Sequence, residues 1–293
     1  MATQTNLYAQ QFTAQNPTTS YARPLGWTPV NAAEMMTFWG LLLHMGVIKK
    51  TKINQYCSVD LLYHTPIYSN TMAHNQFQAI LKFLHYNNNA QCPPQNDPAF
   101  VCLYKIRPLL DHFNAKFSEV YTPEQNVCID ESLLLFKGSV GFRQYLPSKR
   151  ASYGIKMHKL CESNSRYTYR FRVFEGKDFR IEPPECPPVL GVSGKLVWGL
   201  LHPLLDKGYH LYVDNYYTSI PLFMSRTARG TVACGTERKN QRGLPRSLVG
   251  QPLRMGESRA LLHENMLVVK YKDKRNALVL TTINTNISSP API

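Results

Sequence analysis

The chain has 293 residues, and its 33 Lys and Arg against 19 Asp and Glu give a net charge of +14. That excess favours a polyanionic partner, nucleic acid above all, over a small-molecule substrate. No apolar run approaches the roughly 18–20 residues that span a bilayer, and the N-terminus shows no charged segment leading into an apolar block, so neither a membrane anchor nor a secretion signal is expected.

Residues 1–26 are polar and rich in Gln, Thr and Asn, and a disordered start is expected. The first helix is expected in NAAEMMTFWGLLLHMGVIKK, where Met35, Phe38, Leu42 and Met45 recur at helical spacing. Asn31 is its candidate N-cap, with Glu34 three residues on as in a capping box, and Gly46 its candidate end. A second helix is expected over about 71–85, on the stripe Phe77, Ile80, Leu81 and Leu84. The turn-rich NNNAQCPPQNDP separates it from a third, over about 101–120, which Pro108 should kink or restart.

From about Val127 the period changes. VCIDESLLLF reads as a strand, and YTYRFRVF alternates, with Tyr167, Tyr169, Phe171 and Val173 on one face. GVSGKLVWGLLHPLLDKG reads as a helix ending at Gly208, LYVDNYYTSIPLF as a strand and then a helix, and GTVACGTE as a short strand. Strands interleaved with helices predict a mixed α/β sheet.

Two carboxylates interrupt these strands. Asp130 follows Val127 and Ile129, and Asp214 follows Leu211 and Val213. A charge at the end of a buried strand is costly unless it is paired, hydrogen-bonded or bound to metal. Two such carboxylates brought together repel, and a hard divalent cation, Mg²⁺ or Mn²⁺, relieves the repulsion. Residue types and spacing leave a plainer alternative open: Asp214 as a helix N-cap, and Asp130 paired with a nearby Lys or Arg.

Two basic runs stand out. FKGSVGFRQYLPSKRASYGIKMHKL sets Lys137, Arg143, Lys149, Arg150, Lys156 and Lys159 among Phe142, Tyr145 and Tyr153, and ERKNQRGLPR carries Arg238, Lys239, Arg242 and Arg246. Cations of this kind neutralise phosphates and the aromatics can stack on unpaired bases, so both runs are candidate nucleic-acid contacts. A solvated basic surface is the alternative. The seven cysteines contain no C-x-x-C pair, which points to reduced thiols and a cytosolic or nuclear protein.

Several of these segments, in this order, resemble the piggyBac family of transposases and their domesticated derivatives. The most specific are CIDESLLLFKGSVGFRQYLPSKRASYGIKMHKL, GKLVWGLLHPLLDKGYHLYVDNYYTSIPL and TVACGTERKNQRGLPRSL; FLHYNNN and YKIRPLLDHFNAKF agree more weakly. The resemblance implies an RNase H-like catalytic domain whose three aspartates bind two Mg²⁺ ions and cut DNA at transposon ends, by hydrolysis and then strand transfer. It places the first aspartate on Asp130 and the second on Asp214. The third normally sits in a Gly-Gly-Val-Asp context that this sequence lacks, and Asp273, in KDKR, reads as a hairpin residue instead. The family's closing cysteine-rich zinc-binding domain is likewise not expected from these unpaired cysteines, and Cys57 stands where the family tends to have tryptophan.

The layout implied is a disordered N-terminus (1–26), a helical dimerisation and DNA-binding region (27–125), the RNase H-like domain (126–235), an inserted segment (236–285) and a tail (286–293). The product implied is a nuclear, homodimeric DNA-binding protein with ancestral metal-dependent cleavage that is not autonomous. A domesticated, non-catalytic DNA-binding or dimerisation protein is the rival.

Overall fold

The computed structural model describes residues 1–16, 27–147, 152–176 and 181–283. The chain divides into two units, Met1–Phe113 and Asn114–Ile293.

The first unit opens on a correction. The expected disordered start is a helix, α1 (Ala2–Gln15), with Thr5 and Ala9 fully buried. Its aromatics supply the burial that its average composition conceals. Tyr8 stacks on His85 with ring centres 3.4 Å apart, Phe12 meets the edge of Phe83, and Lys82 lies over Phe12 at 4.6 Å. Residues 17–26, the rest of that segment, lie outside the described residues.

α2 (Ala32–Val47) carries the expected capping box: Glu34 N donates to Asn31 Oδ1 at 3.0 Å, and Asn31 N donates to Glu34 Oε2 at 3.1 Å. It buries Met35, Phe38 and Leu41, with Leu42 and Met45 packed at the margin. After the one-turn α3 (Pro66–Thr71), α4 (His74–Phe83) buries Phe77, Ile80 and Phe83, while the expected Leu81 is exposed. The third helix is shorter than its pattern. α5 (Arg107–Val120) starts at Arg107 with Pro108 in its first turn, where a missing N–H costs nothing, and residues 102–106 form turns.

The division between the units falls within α5, upstream of the expected 125/126 boundary. From Asn114 onward α5 packs on the second unit's sheet: Asn114 Oδ1 accepts from Phe171 N at 2.8 Å, and Phe117 packs on the rings of Tyr167 and Phe171.

The second unit is built on one nine-stranded sheet of β1 (Asn126–Leu135), β2 (Gln144–Tyr145), β3 (Tyr153–Glu162), β4 (Thr168–Val173), β5 (His210–Val213), β6 (Val232–Thr236), β7 (Ser258–His263), β8 (Met266–Lys272) and β9 (Asn276–Thr281). The order is β2-β3-β1-β5-β6-β9-β8-β7, with β4 also on β3. β1, β3 and β4 pair antiparallel, whereas β5 and β6 run parallel to β1. This is the RNase H-like arrangement the sequence implied. Val127, Ile129, Leu160, Leu211, Val213 and Ala233 line its core, covered by Trp198 and Leu201 of α6 (Val192–Leu201) and by Leu222 and Phe223 of α7 (Ile220–Thr227).

Two further expectations shift. α6 stops at Leu201 instead of Gly208 because Pro203 cannot continue it; the chain tightens over His202–Leu204, and Gly208 turns at φ +75° into β5. The segment expected as an insert, 236–285, continues the sheet, since β9 pairs antiparallel with β6. Within it, Lys270 Nζ donates to the carbonyls of Val249 (2.8 Å), Leu248 (3.4 Å) and Gln251, closing the end of α8 (Arg246–Gly250). Asp273 occupies the β8–β9 turn, as read from its sequence context. All seven cysteines are free thiols, and no helix among the described residues is long and apolar enough to cross a membrane.

Candidate metal centre and nucleic-acid face

The parallel pairing of β1 with β5 sets Ile129 opposite Val213. The next residues, Asp130 and Asp214, therefore stand side by side where β5 ends. Asp214 does not cap α7, whose N-cap is Ser219. It organises its own turn: Oδ1 accepts from Tyr216 N at 3.0 Å, and its carbonyl accepts from Tyr217 N, Thr218 N and Thr218 Oγ1. Gly235, on β6 beside it, is needed for the close approach, because a Cβ there would lie 2.3 Å from Thr218 Oγ1 and 2.9 Å from Val213 O.

Glu131 is the acid that sequence reasoning missed. One carboxylate oxygen from each of Asp130, Glu131 and Asp214 falls within 4.8 Å of the others. The signal was present as consecutive acids in DES, but strand alternation assigns neighbours to opposite faces. Oxygens on opposite sides of Mg²⁺ lie about 4.2 Å apart and those around Ca²⁺ about 5 Å, so this all-oxygen donor set fits one hard divalent cation.

Behind the carboxylates lies a buried polar pair. His158, on β3 directly opposite Glu131, is 1% exposed, and its Nδ1 is 2.6 Å from the hydroxyl of the fully buried Tyr217. Burial, helped by the Lys156 charge, pushes the His158 imidazole down to about 4. Burial first, and then the charges of Glu131, Asp214 and Asp130, push the Tyr217 hydroxyl upward. The pair is thus a protonated phenol and a neutral imidazole at neutral pH.

The expected basic contacts fall into separate places. Two border the carboxylates: Lys156 Nζ sits 4.9 Å over the Tyr216 ring, and Arg238 Nε donates to Asn215 Oδ1 at 3.1 Å. Lys137 and Arg143 are exposed beyond the far end of β1, with Leu135 about 17 Å along the strand from Asp130. There Arg143 lies 5.3 Å over Tyr153, whose ring is tilted against that of Tyr145 with centres 4.6 Å apart, and donates to Gly138 O at 3.0 Å. Lys239 and Arg242 line a cleft of about 420 Å³ together with Arg246. Lys149 and Arg150 lie outside the described residues.

A mixed sheet in which β5 and β6 run parallel to β1 while β3 and β4 pair antiparallel, flanked by helices, is the RNase H-like class of fold. The family model described as Transposase IS4 matches residues 1–291, and the chain belongs to that family. Within it the piggyBac resemblance holds. The chain is 24% identical over 215 residues to human PiggyBac transposable element-derived protein 3, covering 72% of this chain and 34% of that one. It is 24% identical over 214 residues to human PiggyBac transposable element-derived protein 2, with the same coverage. Among solved structures, a piggyBac transposase from a synaptic complex with hairpin DNA superposes with a TM-score of 0.79 at 22% identity, over 99% of this chain and 59% of that one. The chain thus spans about a third of the length of these curated relatives.

Proposed function

We propose that this protein binds DNA and carries a divalent-metal centre for phosphodiester chemistry at Asp130, Glu131 and Asp214. The observation that carries the reading is the convergence of three carboxylate oxygens within 4.8 Å at the end of β5. These residues would hold Mg²⁺ or Mn²⁺, which would supply Lewis-acid chemistry for activating a water and stabilising a leaving oxygen at phosphorus. The chain's own residues do the rest. The backbone of the 214–218 turn orients Asp214. Lys156 and Arg238 bring positive charge to the rim, where a phosphate backbone passes, and Tyr216 offers a ring face to a base. Lys137 and Arg143 on one side and Lys239 and Arg242 on another lengthen the DNA track; Lys149 and Arg150 belong to the same basic run.

The test is a nicking assay on hairpin DNA with Mg²⁺ or Mn²⁺, run beside a DNA-binding titration. Nicking that needs the metal and disappears in Asp130→Asn and Asp214→Asn, while DNA binding persists, supports the reading. DNA binding with no metal-dependent nicking in the parent chain favours the binding-only rival. Homodimerisation and a nuclear location follow from the piggyBac resemblance and a DNA partner, and sedimentation with and without DNA checks the first.

A further inference from the structure

We infer that the Tyr217–His158 hydrogen bond is a positioning strap that holds Asp214 against Asp130 and Glu131. The inference rests on the carboxylate reading above. Three observations carry it. In the strand order β3-β1-β5, His158 stands on β3 and Tyr217 just after β5, so a bond between them crosses over β1 at Glu131. At 2.6 Å the bond is short, and both partners are buried. Tyr217 also belongs to the turn that carries Asp214: its N–H donates to the Asp214 carbonyl at 3.2 Å, and Tyr216 N reaches the Asp214 carboxylate. A pull on the phenol therefore acts on the carboxylate three residues upstream.

The chemistry gives this strap a task. Three carboxylates sharing a small volume repel one another, and Asp214 alone of the three sits on a turn and not within a strand. Without a tie to β3, repulsion moves the turn outward, and an incoming ion must first draw it back. The strap removes that ordering step before the ion arrives, which appears as affinity. Lys156, charged and adjacent on the same strand, stacks over Tyr216 and holds the outer side of the turn in the same sense.

The test uses the whole chain and Mn²⁺ alone, with binding read from the loss of the free-ion electron paramagnetic resonance signal. Tyr217→Phe and His158→Leu are each expected to weaken Mn²⁺ binding about tenfold. His158→Asn keeps a donor and an acceptor near the position of Nδ1 and should stay within about threefold of the parent. The Tyr217→Phe/His158→Leu double variant separates positioning from packing. Removing both partners spares stability that either single change costs, so its melting temperature should recover. Its Mn²⁺ affinity should remain about tenfold low. Parent-like affinity in Tyr217→Phe, or in the double variant, overturns the strap and leaves the carboxylate centre standing. Parent-like affinity in Asp214→Asn, or no Mn²⁺ binding by the parent chain at millimolar ion, overturns the carboxylate reading and the strap with it.

Discussion

α7 has a buried polar group near each end, and the two are served differently. At its entrance, His158 and Tyr217 satisfy one another at 2.6 Å. At its exit, Arg226 is fully buried with its guanidinium 5.0 Å over the Trp198 ring, and Nε, Nη1 and Nη2 have no hydrogen-bond partner among the described residues. Burial, more than the nearby Arg229 charge, pushes that guanidinium down to about 9, and it stays charged at neutral pH. Leu222, one turn earlier on the same helix face, is the kind of residue the core accepts without cost. Depth is equal at the two ends of α7. What differs is whether a buried polar atom has somewhere to send its hydrogen bonds, and that decides whether the group organises a site or merely weakens the fold.

The sharpest way to break this contrast is Arg226→Met, which keeps the stem over Trp198 and removes the unpaired charge. Equilibrium urea unfolding should show a gain of about 1–4 kcal/mol; a loss would mean that Arg226 has a partner in solution. The second test titrates the other end. His158 has a folded value of about 4 against an ordinary value near 6.5, so its neutral form is the native one. Its contribution is fully present above about pH 6.5 and is lost as pH falls toward 4. The parent should lose about 3 kcal/mol more across that window than His158→Leu, measured by unfolding at each pH. Third, Gly235→Ala drives a methyl group into Thr218 and the Val213 carbonyl beside the well-served end. It should cost about 1–3 kcal/mol and loosen the Asp214 turn, seen as faster hydrogen exchange at Tyr217 and Thr218. Smallest is the surface reference: Asn31→Ala removes half of the satisfied capping box on α2 and should cost about 1 kcal/mol in thermal unfolding.

Much of this was legible in the sequence wherever one local rule decided the outcome. The capping box at Asn31 and Glu34, the helix start beside Pro108, the burial of Tyr169 and Val173 on one face of β4 and the place of Asp214 just past β5 appear where the pattern put them, whereas Asp130, expected at a strand end, lies midway along β1. Reading failed where the deciding partner lay far off in the chain. α1 looks polar until Tyr8 and Phe12 are set against His85 and Phe83. His158 carries no signal of its role in the sequence, because its partner, Tyr217, follows a different strand. Glu131 is hidden because alternation sets consecutive residues of β1 on opposite faces, yet its carboxylate comes within 4.8 Å of those of Asp130 and Asp214. Of the two readings that the sequence allows Asp214, the helix cap fails because Ser219 holds that position on α7, and the ligand reading is the one proposed above.

The parallel register of β1 and β5 has a thermodynamic consequence as well. Asp130 and Asp214 are neighbours only while Ile129 faces Val213, and the unfolded chain has no comparable cluster. Occupancy of the proposed centre and integrity of the sheet would then be one linked equilibrium. An ion present at about 100 times its dissociation constant adds about 2.7 kcal/mol to the folding free energy. The midpoint of unfolding would then serve as a direct gauge of ion binding at the proposed centre.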